Sequence, residues 1–184
     1  MDLTEKQIDS RVVYEGGFLE VLKDTVQLPD GSTSTREYLT HPGAVAMLAI
    51  LDNGKLLMER QHRYPWHCDF IELPAGKIDA GEDILVTAQR ELLEETGYVA
   101  REWTHLTTAA PCIGYSDERM EYFIARGLTH QGSKLDEGEF LEVFELSLDE
   151  AMEWIRAGKI TDSKTIVGLF WLEKVLKEGW CAPE

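Results

Sequence analysis

Apolar and polar residues alternate over much of the first third of the chain, as they do in strands that bury one face. Three segments there are rich in β-branched and aromatic residues: RVVYEG from Arg11, FLEVLKDTVQL from Phe18 and STSTREYLT from Ser32. Residues 29–31 read Pro-Asp-Gly, a turn sequence between the second and third segments. The pattern therefore predicts strands over all three segments.

A nearly continuous apolar run follows at 43–51, and a second apolar segment occupies 55–61. Residues 52–54 between them read Asp-Asn-Gly, which is a strong turn sequence. We predict that the two segments form a central hairpin. A further short strand is expected over 69–73, where Pro74 ends it.

A helical period is found over 83–96, where Leu85, Ala88 and Leu92 form an apolar stripe. An aspartate at its start and Gly97 directly after its end are typical helix boundaries. Such a stripe is what a helix packed on a sheet requires.

The rest of the pattern predicts strands at 102–108, 120–125 and 140–146, then helices at 148–157 and 162–177. The order of strands, helix, strands and helices favours an α/β sandwich with a mixed sheet.

Composition narrows the class of protein. A chain of 184 residues that is 43% hydrophobic suits one domain with a small appendage. The formal net charge of −16 argues against nucleic acid or an anionic membrane as a partner, because phosphates attract clusters of lysine and arginine. A small phosphorylated substrate stays compatible with this charge, since a metal ion can bridge two anions.

The expected compartment is the cytoplasm. Cys68, Cys112 and Cys181 are far apart and form no CxxC pair, so reduced thiols are the simplest interpretation. No apolar stretch reaches the length of a membrane span, and the first residues lack the pattern of a signal peptide.

Carboxylates gather on one stripe of the helix over 83–96. Glu91 and Glu95 are four residues apart, and Glu94 is three from Glu91. Like charges at this spacing cost helix stability unless something positive lies among them. Mg²⁺ is a suitable cation, because it prefers oxygen ligands.

The run GKIDAGEDILVTAQRELLEETGY resembles the signature of the Nudix hydrolases, G-x5-E-x7-R-E-U-x-E-E-x-G-U, at every fixed position. A merely solvated acidic helix would leave Gly76, Glu82 and Arg90 unexplained. The resemblance implies an α/β/α sandwich with a mixed β-sheet and an N-terminal antiparallel β extension. It also implies attack of water on a phosphorus atom of a nucleoside diphosphate derivative, with metal assistance.

The resemblance also assigns the metal ligands. Glu91 and Glu95 would be the principal ligands and act in catalysis, the carbonyl of Ala75 would add another, and Glu94 contributes in some members. Mn²⁺ is a possible substitute for Mg²⁺. Glu82 and Arg90 would fix the loop and the helix rather than touch the substrate.

Similarity outside the signature is to one branch, the ADP-ribose pyrophosphatases and related nucleoside diphosphate sugar hydrolases. The stretch ELPAGKID, which includes Gly76, resembles the lead-in of that branch; QHR, which ends at Arg63, resembles its phosphate-binding element; and GYSDE, which ends at Glu118, resembles its substrate loop. That branch carries a proline where this chain has Ile113. Another nucleotide substrate therefore remains an alternative.

The general base would come from the acidic loop LDEGEF. Glu137 matches the position of the base and Glu139 that of an additional metal ligand, with the two roles exchangeable if the alignment shifts. A solvated acidic turn is the alternative. Loop closure is a usual way to complete such a site.

Further substrate contacts are expected from the N-terminal part. Arg36 resembles a substrate-contacting arginine, although it could equally be a charge on a strand surface. Phe18 could stack on adenine, or it could pack in the core or at an interface. Arg63 has the alternative of a surface salt bridge. The resemblance divides the chain into a β extension at 1–42, which would form a homodimer and contribute to the substrate site, and a Nudix domain at 43–184.

The resemblance thus implies Mg²⁺-dependent hydrolysis of ADP-ribose to AMP and ribose 5-phosphate. One alternative is hydrolysis of another nucleoside diphosphate derivative, such as GDP-mannose, NADH or a dinucleoside polyphosphate. A second is a module that binds ADP-ribose without cleaving it.

Overall fold

A computed structural model describes residues 1–132, 135, 138 and 140–180. The chain divides into two compact units. The first unit contains Met1–Pro42 together with Ala110–Arg119, and the second contains Gly43–Ala109 and the chain from Met120 onward.

The first unit is an antiparallel sheet with the order β1-β2-β3, built from β1 (Lys6–Glu15), β2 (Glu20–Gln27) and β3 (Thr33–Thr40). The backbone N–H of Leu39 on β3 donates to the carbonyl of Tyr115 at 2.8 Å, which ties the 110–119 loop to the sheet. The predicted antiparallel extension is confirmed, and its first strand begins at Lys6 rather than Arg11.

The strands of the second unit are β4 (Ala44–Ala49), β5 (Leu56–Arg63), β6 (Cys68–Glu72), β7 (Ala75–Lys77), β8 (Tyr98–Val99), β9 (Glu102–Ala109), β10 (Met120–Arg126), β11 (Thr129–His130) and β12 (Leu141–Leu146). One sheet has the order β7-β4-β10-β9, with β4 and β10 parallel and the other pairs antiparallel. A second, antiparallel sheet has the order β12-β5-β6, and β8 pairs with β11. The mixed sheet is as predicted.

The helices are α1 (Ile84–Glu91), α2 (Leu148–Arg156) and α3 (Ser163–Glu178). A π-helical turn, Leu92–Thr96, directly continues α1, and a 3₁₀ turn, Tyr64–Trp66, follows β5. None of the helices in the described part of the chain has the length and apolar character of a membrane span.

Every residue of β4 is buried, because its two faces pack against different helices. Ala44, Ala46 and Leu48 belong to the cluster that contains Leu169 and Leu172 of α3. The alternate residues Val45, Met47 and Ala49 belong to the cluster that contains Ala88 and Leu92. The second unit is therefore an α/β/α sandwich, as the sequence predicts.

The predicted central hairpin of 43–51 with 55–61 is wrong. The two segments do turn at 52–54, but β4 and β5 lie in different sheets. The pairing between the segments is an isolated bridge between Ile50, just after β4, and Leu56. Both edges of β4 are already paired, one with β7 and the other with β10. Its backbone groups therefore have partners, and β5 pairs with β6 and β12 instead.

Candidate functional site

Glu95 links the acidic helix to the strand before it. The backbone N–H of Ala75 on β7 donates to Glu95 Oε2 at 3.0 Å, and only 5% of Glu95 is exposed. Glu95 lies in the π-helical turn that continues α1, a conformation that is common at functional sites. Ala75, whose carbonyl is a predicted metal ligand, thus contacts the carboxylate of the predicted ligand Glu95 through its N–H group.

Gly76 leaves room for the carboxylate of Glu91. A Cβ atom added to Gly76 would lie 1.8 Å from Glu91 Cδ and 2.1 Å from its Oε1. A side chain at position 76 would displace the carboxylate of Glu91, so glycine is what allows this carboxylate to lie here. The second predicted metal ligand therefore lies directly over the strand that carries Ala75.

Arg90 supplies the positive charge that the crowded carboxylates require. Its Nη1 donates to Glu91 Oε1 at 2.8 Å and to Glu94 Oε2 at 3.0 Å. Its Nε and Nη2 donate to Glu82 at 3.1 and 3.0 Å, and its Nη2 reaches the carbonyl of Lys77 at 3.3 Å. One guanidinium therefore ties the loop before α1 to the helix, and it draws Glu91 and Glu94 toward itself.

These contacts shift the pKa values of Glu82 and Arg90. Hydrogen bonds from Arg90, and then from the hydroxyl of Thr87, lower the pKa of Glu82 to about 2. The hydrogen bond to Glu82 is also the main cause that raises the pKa of Arg90. Glu82 and Arg90 therefore form a charged pair over the whole physiological pH range.

The donor set suits a hard divalent cation. Glu91, Glu94, Glu95 and the carbonyl of Ala75 provide only oxygen ligands, which Mg²⁺ and Mn²⁺ prefer. Within the described ranges, no three acidic, histidine or cysteine side chains already converge as a metal site. Arg90 holds two of the carboxylates, and a cation would compete with it for them.

We predict that Arg90→Met raises the pKa of Glu82 toward the ordinary carboxyl value of 4.5. The folded-state pKa lies below the unfolded value, so this pair stabilises the fold above about pH 4.5, and its contribution is lost as the pH falls through about 2. Carboxyl carbon NMR titration measures the shift. Arg156→Met is the matched control, because Arg156 pairs with Glu153 on α2. A pKa that stays near 2 in Arg90→Met would assign the shift to Thr87.

Arg63 pairs with a buried glutamate. Its Nε and Nη2 donate to the two carboxylate oxygens of Glu72, both at 2.7 Å, and Glu72 is 3% exposed. Lys164 donates to Glu72 as well, and to Asp162 Oδ2 at 3.0 Å. Burial opposes ionisation of Glu72, but the hydrogen bond from Arg63 and the charge of Lys164 outweigh it and lower the pKa of Glu72.

Lys164 and Asp162 received no role from the sequence. Asp162 is the N-cap of α3 and accepts from the N–H of Thr165 at 3.0 Å. The sequence around Asp162 predicts only the start of a helix. It does not indicate that Lys164 contacts Glu72, which lies 92 residues earlier in the chain. The available signal was Glu72 of the ELPAGKID stretch, a charged residue within the strand predicted over 69–73.

The first unit holds the other predicted substrate residues. The ring of Phe18 meets that of His41 edge to face at 5.7 Å, and Glu118 Oε1 lies 3.9 Å from His41 Nδ1. Phe18 and Glu118 are therefore both neighbours of His41, which the sequence did not single out. Arg36 pairs instead with Glu5. Glu137 and Glu139 lie outside the described residues.

Comparisons with known proteins agree with this arrangement. A model of the NUDIX domain matches residues 40–166, and a model of the nucleoside diphosphate sugar hydrolase N-terminal domain matches residues 5–39. The chain is 42% identical over 171 residues to the methanol dehydrogenase activator of Bacillus methanolicus, with 92% of each chain covered. It is 39% identical over 179 residues to the ADP-ribose pyrophosphatase of Bacillus subtilis strain 168, with 96% of each covered.

The fold is shared with solved structures. The crystal structure of an ADP compounds hydrolase superposes with a TM-score of 0.87 at 22% identity, and covers 97% of this chain and 98% of that one. The NUDIX model accounts for well over half of the sequence, and the signature residues are assembled around β7 and α1. The chain therefore belongs to the Nudix hydrolase family.

Proposed function

We propose that the chain hydrolyses the diphosphate linkage of ADP-ribose and releases AMP and ribose 5-phosphate. One observation carries the hydrolytic role: two signature carboxylates lie against β7. Glu95 accepts the N–H of Ala75, and the carboxylate of Glu91 packs against Gly76. Support for the substrate comes from the relatives. Besides the Bacillus subtilis protein, an ADP-ribose pyrophosphatase of Mycobacterium tuberculosis is 34% identical over 171 residues, which cover 91% of this chain and 83% of that one.

The divalent cation would be Mg²⁺, with Mn²⁺ as a substitute. Ala75, Glu91, Glu94, Glu95 and Glu139 are its proposed ligands. When bound, such a cation withdraws charge from phosphoryl oxygens and makes water more acidic. The chain's own contribution is to hold the ligand carboxylates against β7, where Arg90 balances part of their charge.

Arg63 is the proposed phosphate contact. A guanidinium has five N–H donors, and the two hydrogen bonds to Glu72 occupy one edge of it. The remaining N–H groups are available to a phosphoryl oxygen, while Glu72 fixes the plane of the group. The salt bridge and the phosphate contact are thus compatible roles, rather than the alternatives that the sequence left open.

The proton of the attacking water would pass to Glu137, the proposed general base. Phe18, Arg36, Glu118 and the backbone of Gly76 are the other proposed substrate contacts. His41 supports two of them, since it touches both Phe18 and Glu118.

An enzyme for another nucleoside diphosphate derivative is the second candidate, favoured by the sugar hydrolase model that matches residues 5–39. The test compares initial rates with ADP-ribose, GDP-mannose, NADH and diadenosine polyphosphates in Mg²⁺. We expect ADP-ribose to give the highest kcat/KM, with AMP and ribose 5-phosphate in equal amounts. If ADP-ribose were the poorest of the four, the substrate assignment would fail. Binding of ADP-ribose without any product would favour the non-catalytic module.

A cytoplasmic location stays a prediction.

The proposed assembly is a homodimer. All ten residues of the edge strand β1 are exposed, among them Ile8, Val12, Val13 and Tyr14. An exposed apolar edge strand is a template for pairing with another chain. A second copy of this unit is the partner that would cover it.

We expect Val13→Lys to convert a dimer into a monomer, because a lysine on the strand must leave the apolar interface. Light scattering after size exclusion measures the mass over a range of concentrations. Val86→Lys is the control, since Val86 is an equally exposed valine on α1. A wild-type chain of monomeric mass at all concentrations would refute the dimer.

A further inference from the structure

The first turn of α3 is fixed against the end of β6 by two neighbouring contacts. The backbone N–H of Leu73 donates to Thr165 Oγ1 at 2.8 Å, and Thr165 is fully buried. One residue earlier in each segment, Lys164 Nζ donates to Glu72 Oε2. Two consecutive residues of the helix thus meet the last residue of the strand and the residue after it. The backbone packing therefore fixes the place of Lys164 beside Glu72.

Glu72, Lys164 and Arg63 form a chain of alternating charge that becomes more exposed toward Arg63. The side chain of Glu72 is 4% exposed, that of Lys164 13% and that of Arg63 44%. Arg63 donates through Nε to Glu72 Oε1 and through Nη2 to Oε2, so Lys164 shares Oε2 with the guanidinium. The part of this chain that is most accessible to a ligand is therefore the guanidinium.

The charge of Glu72 acts against the attraction of Arg63 for an anion. If the two formed a pair by themselves, the hydrogen bonds would still orient the guanidinium. Its positive charge would be largely cancelled, however, because the carboxylate oxygens are 2.7 Å from its nitrogens. Lys164 changes this balance, since a second cation on the same carboxylate gives the three side chains one net positive charge.

Two further carboxyl groups lie near this chain. Asp162 Oδ2 accepts from Lys164 at 3.0 Å, and it also accepts the N–H of Thr165 at the positive end of the α3 dipole. The helix start therefore balances part of the charge of Asp162. The register of β5 and β6 places Glu59 directly opposite Glu72, and Glu59 is 3% exposed. Carboxylates at opposite positions of a sheet repel each other, so this neighbour increases the need for a second cation on Glu72.

We propose that Lys164 is a positioning residue for the substrate diphosphate and acts through Glu72. It balances the charge of Glu72, so that Arg63, which Glu72 orients, keeps its positive charge for a phosphoryl oxygen. The inference rests on the proposed function, in which Arg63 contacts the phosphate, and it extends that contact to a residue that does not touch the substrate.

The experiment removes the charge of Lys164 with and without the carboxylate through which it acts. In Lys164→Gln, whose amide can still donate a hydrogen bond, we expect KM for ADP-ribose to rise about tenfold and kcat to change less than about twofold. In a Glu72→Gln background, the same substitution should change KM less than about twofold, because no carboxylate charge is left to balance. Lys177→Gln is the matched control, since Lys177 pairs with Glu173 on the exposed surface of the same helix.

Two outcomes would overturn the proposal. An equal rise of KM in both backgrounds would mean that Lys164 acts independently of Glu72. An unchanged KM in Lys164→Gln would remove Lys164 from substrate binding, and a lower melting temperature in the same variant would leave it a structural role alone. Lys164→Met removes the same charge and carries the test if the amide variant does not fold.

Calorimetry with the α,β-methylene analogue of ADP-ribose measures binding without cleavage. The affinity should follow KM, with a loss of about tenfold in Lys164→Gln that is absent in the Glu72→Gln background. If the wild-type chain showed this pattern of binding but hydrolysed nothing, the proposed hydrolysis would fail and the role of Lys164 would stand. If the chain hydrolysed ADP-ribose and the Kd of the analogue were the same in Lys164→Gln, this inference alone would fail.

Discussion

Glu95→Gln is expected to lower kcat for ADP-ribose about a thousandfold while the chain stays folded. An amide oxygen can still accept the N–H of Ala75, which now donates to Glu95 Oε2 at 3.0 Å, so the link between the helix and β7 is kept. What is lost is the negative charge of a proposed cation ligand. Rates of AMP release at saturating ADP-ribose measure the effect, with thermal unfolding as the check on folding.

The matched control for this substitution is Glu178→Gln. Glu178 pairs with Lys174 on the exposed surface of α3, so its loss removes a charge of the same kind without touching β7. Mg²⁺ should raise the melting temperature of the wild-type chain and of the control, and raise that of Glu95→Gln much less, because a ligand stabilises the state that binds it. Full kcat in Glu95→Gln would remove Glu95 from the reaction.

The acidic helix could be predicted from the sequence because its determinants are local. Residues four apart share a face of any helix, and the cap at Asp83 needs only Leu85, whose N–H donates to it at 2.9 Å. The need for a positive charge among the carboxylates also followed from spacing. The structure adds that a residue of the helix itself, Arg90, meets part of that need.

Pairing between distant segments could not be predicted in the same way. The turn at 52–54 was correctly placed, but a turn sequence does not reveal whether the edges of β4 are already occupied by strands far along the chain. The contact of Lys164 with Glu72 could not be predicted for the same reason, because the helix start and the strand are each ordinary when read alone. The phosphate contact proposed for Arg63 involves the same glutamate, because Glu72 holds its guanidinium by two hydrogen bonds.

Gly76→Ala is expected to lower kcat about a hundredfold, since displacement of a reacting group by about 1 Å can have that effect. The new Cβ would overlap the carboxylate of Glu91, whose Cδ is 1.8 Å from that position, and Glu91 would have to move. Gly76 is not among the glycines with positive φ, so alanine is compatible with its backbone and the fold should persist. Steady-state kinetics and thermal unfolding measure the two effects separately.

Gly17→Ala is the control for this substitution, because a Cβ there would meet nothing within 4 Å. The decisive comparison adds Glu91→Asp, which withdraws the carboxylate by one methylene group. If Gly76 acts by making room for Glu91, the double variant should lose much less activity than the sum of the two single effects in free energy predicts. Strictly additive losses would show that Gly76 acts independently of Glu91, and the steric account of the signature glycine would then be wrong.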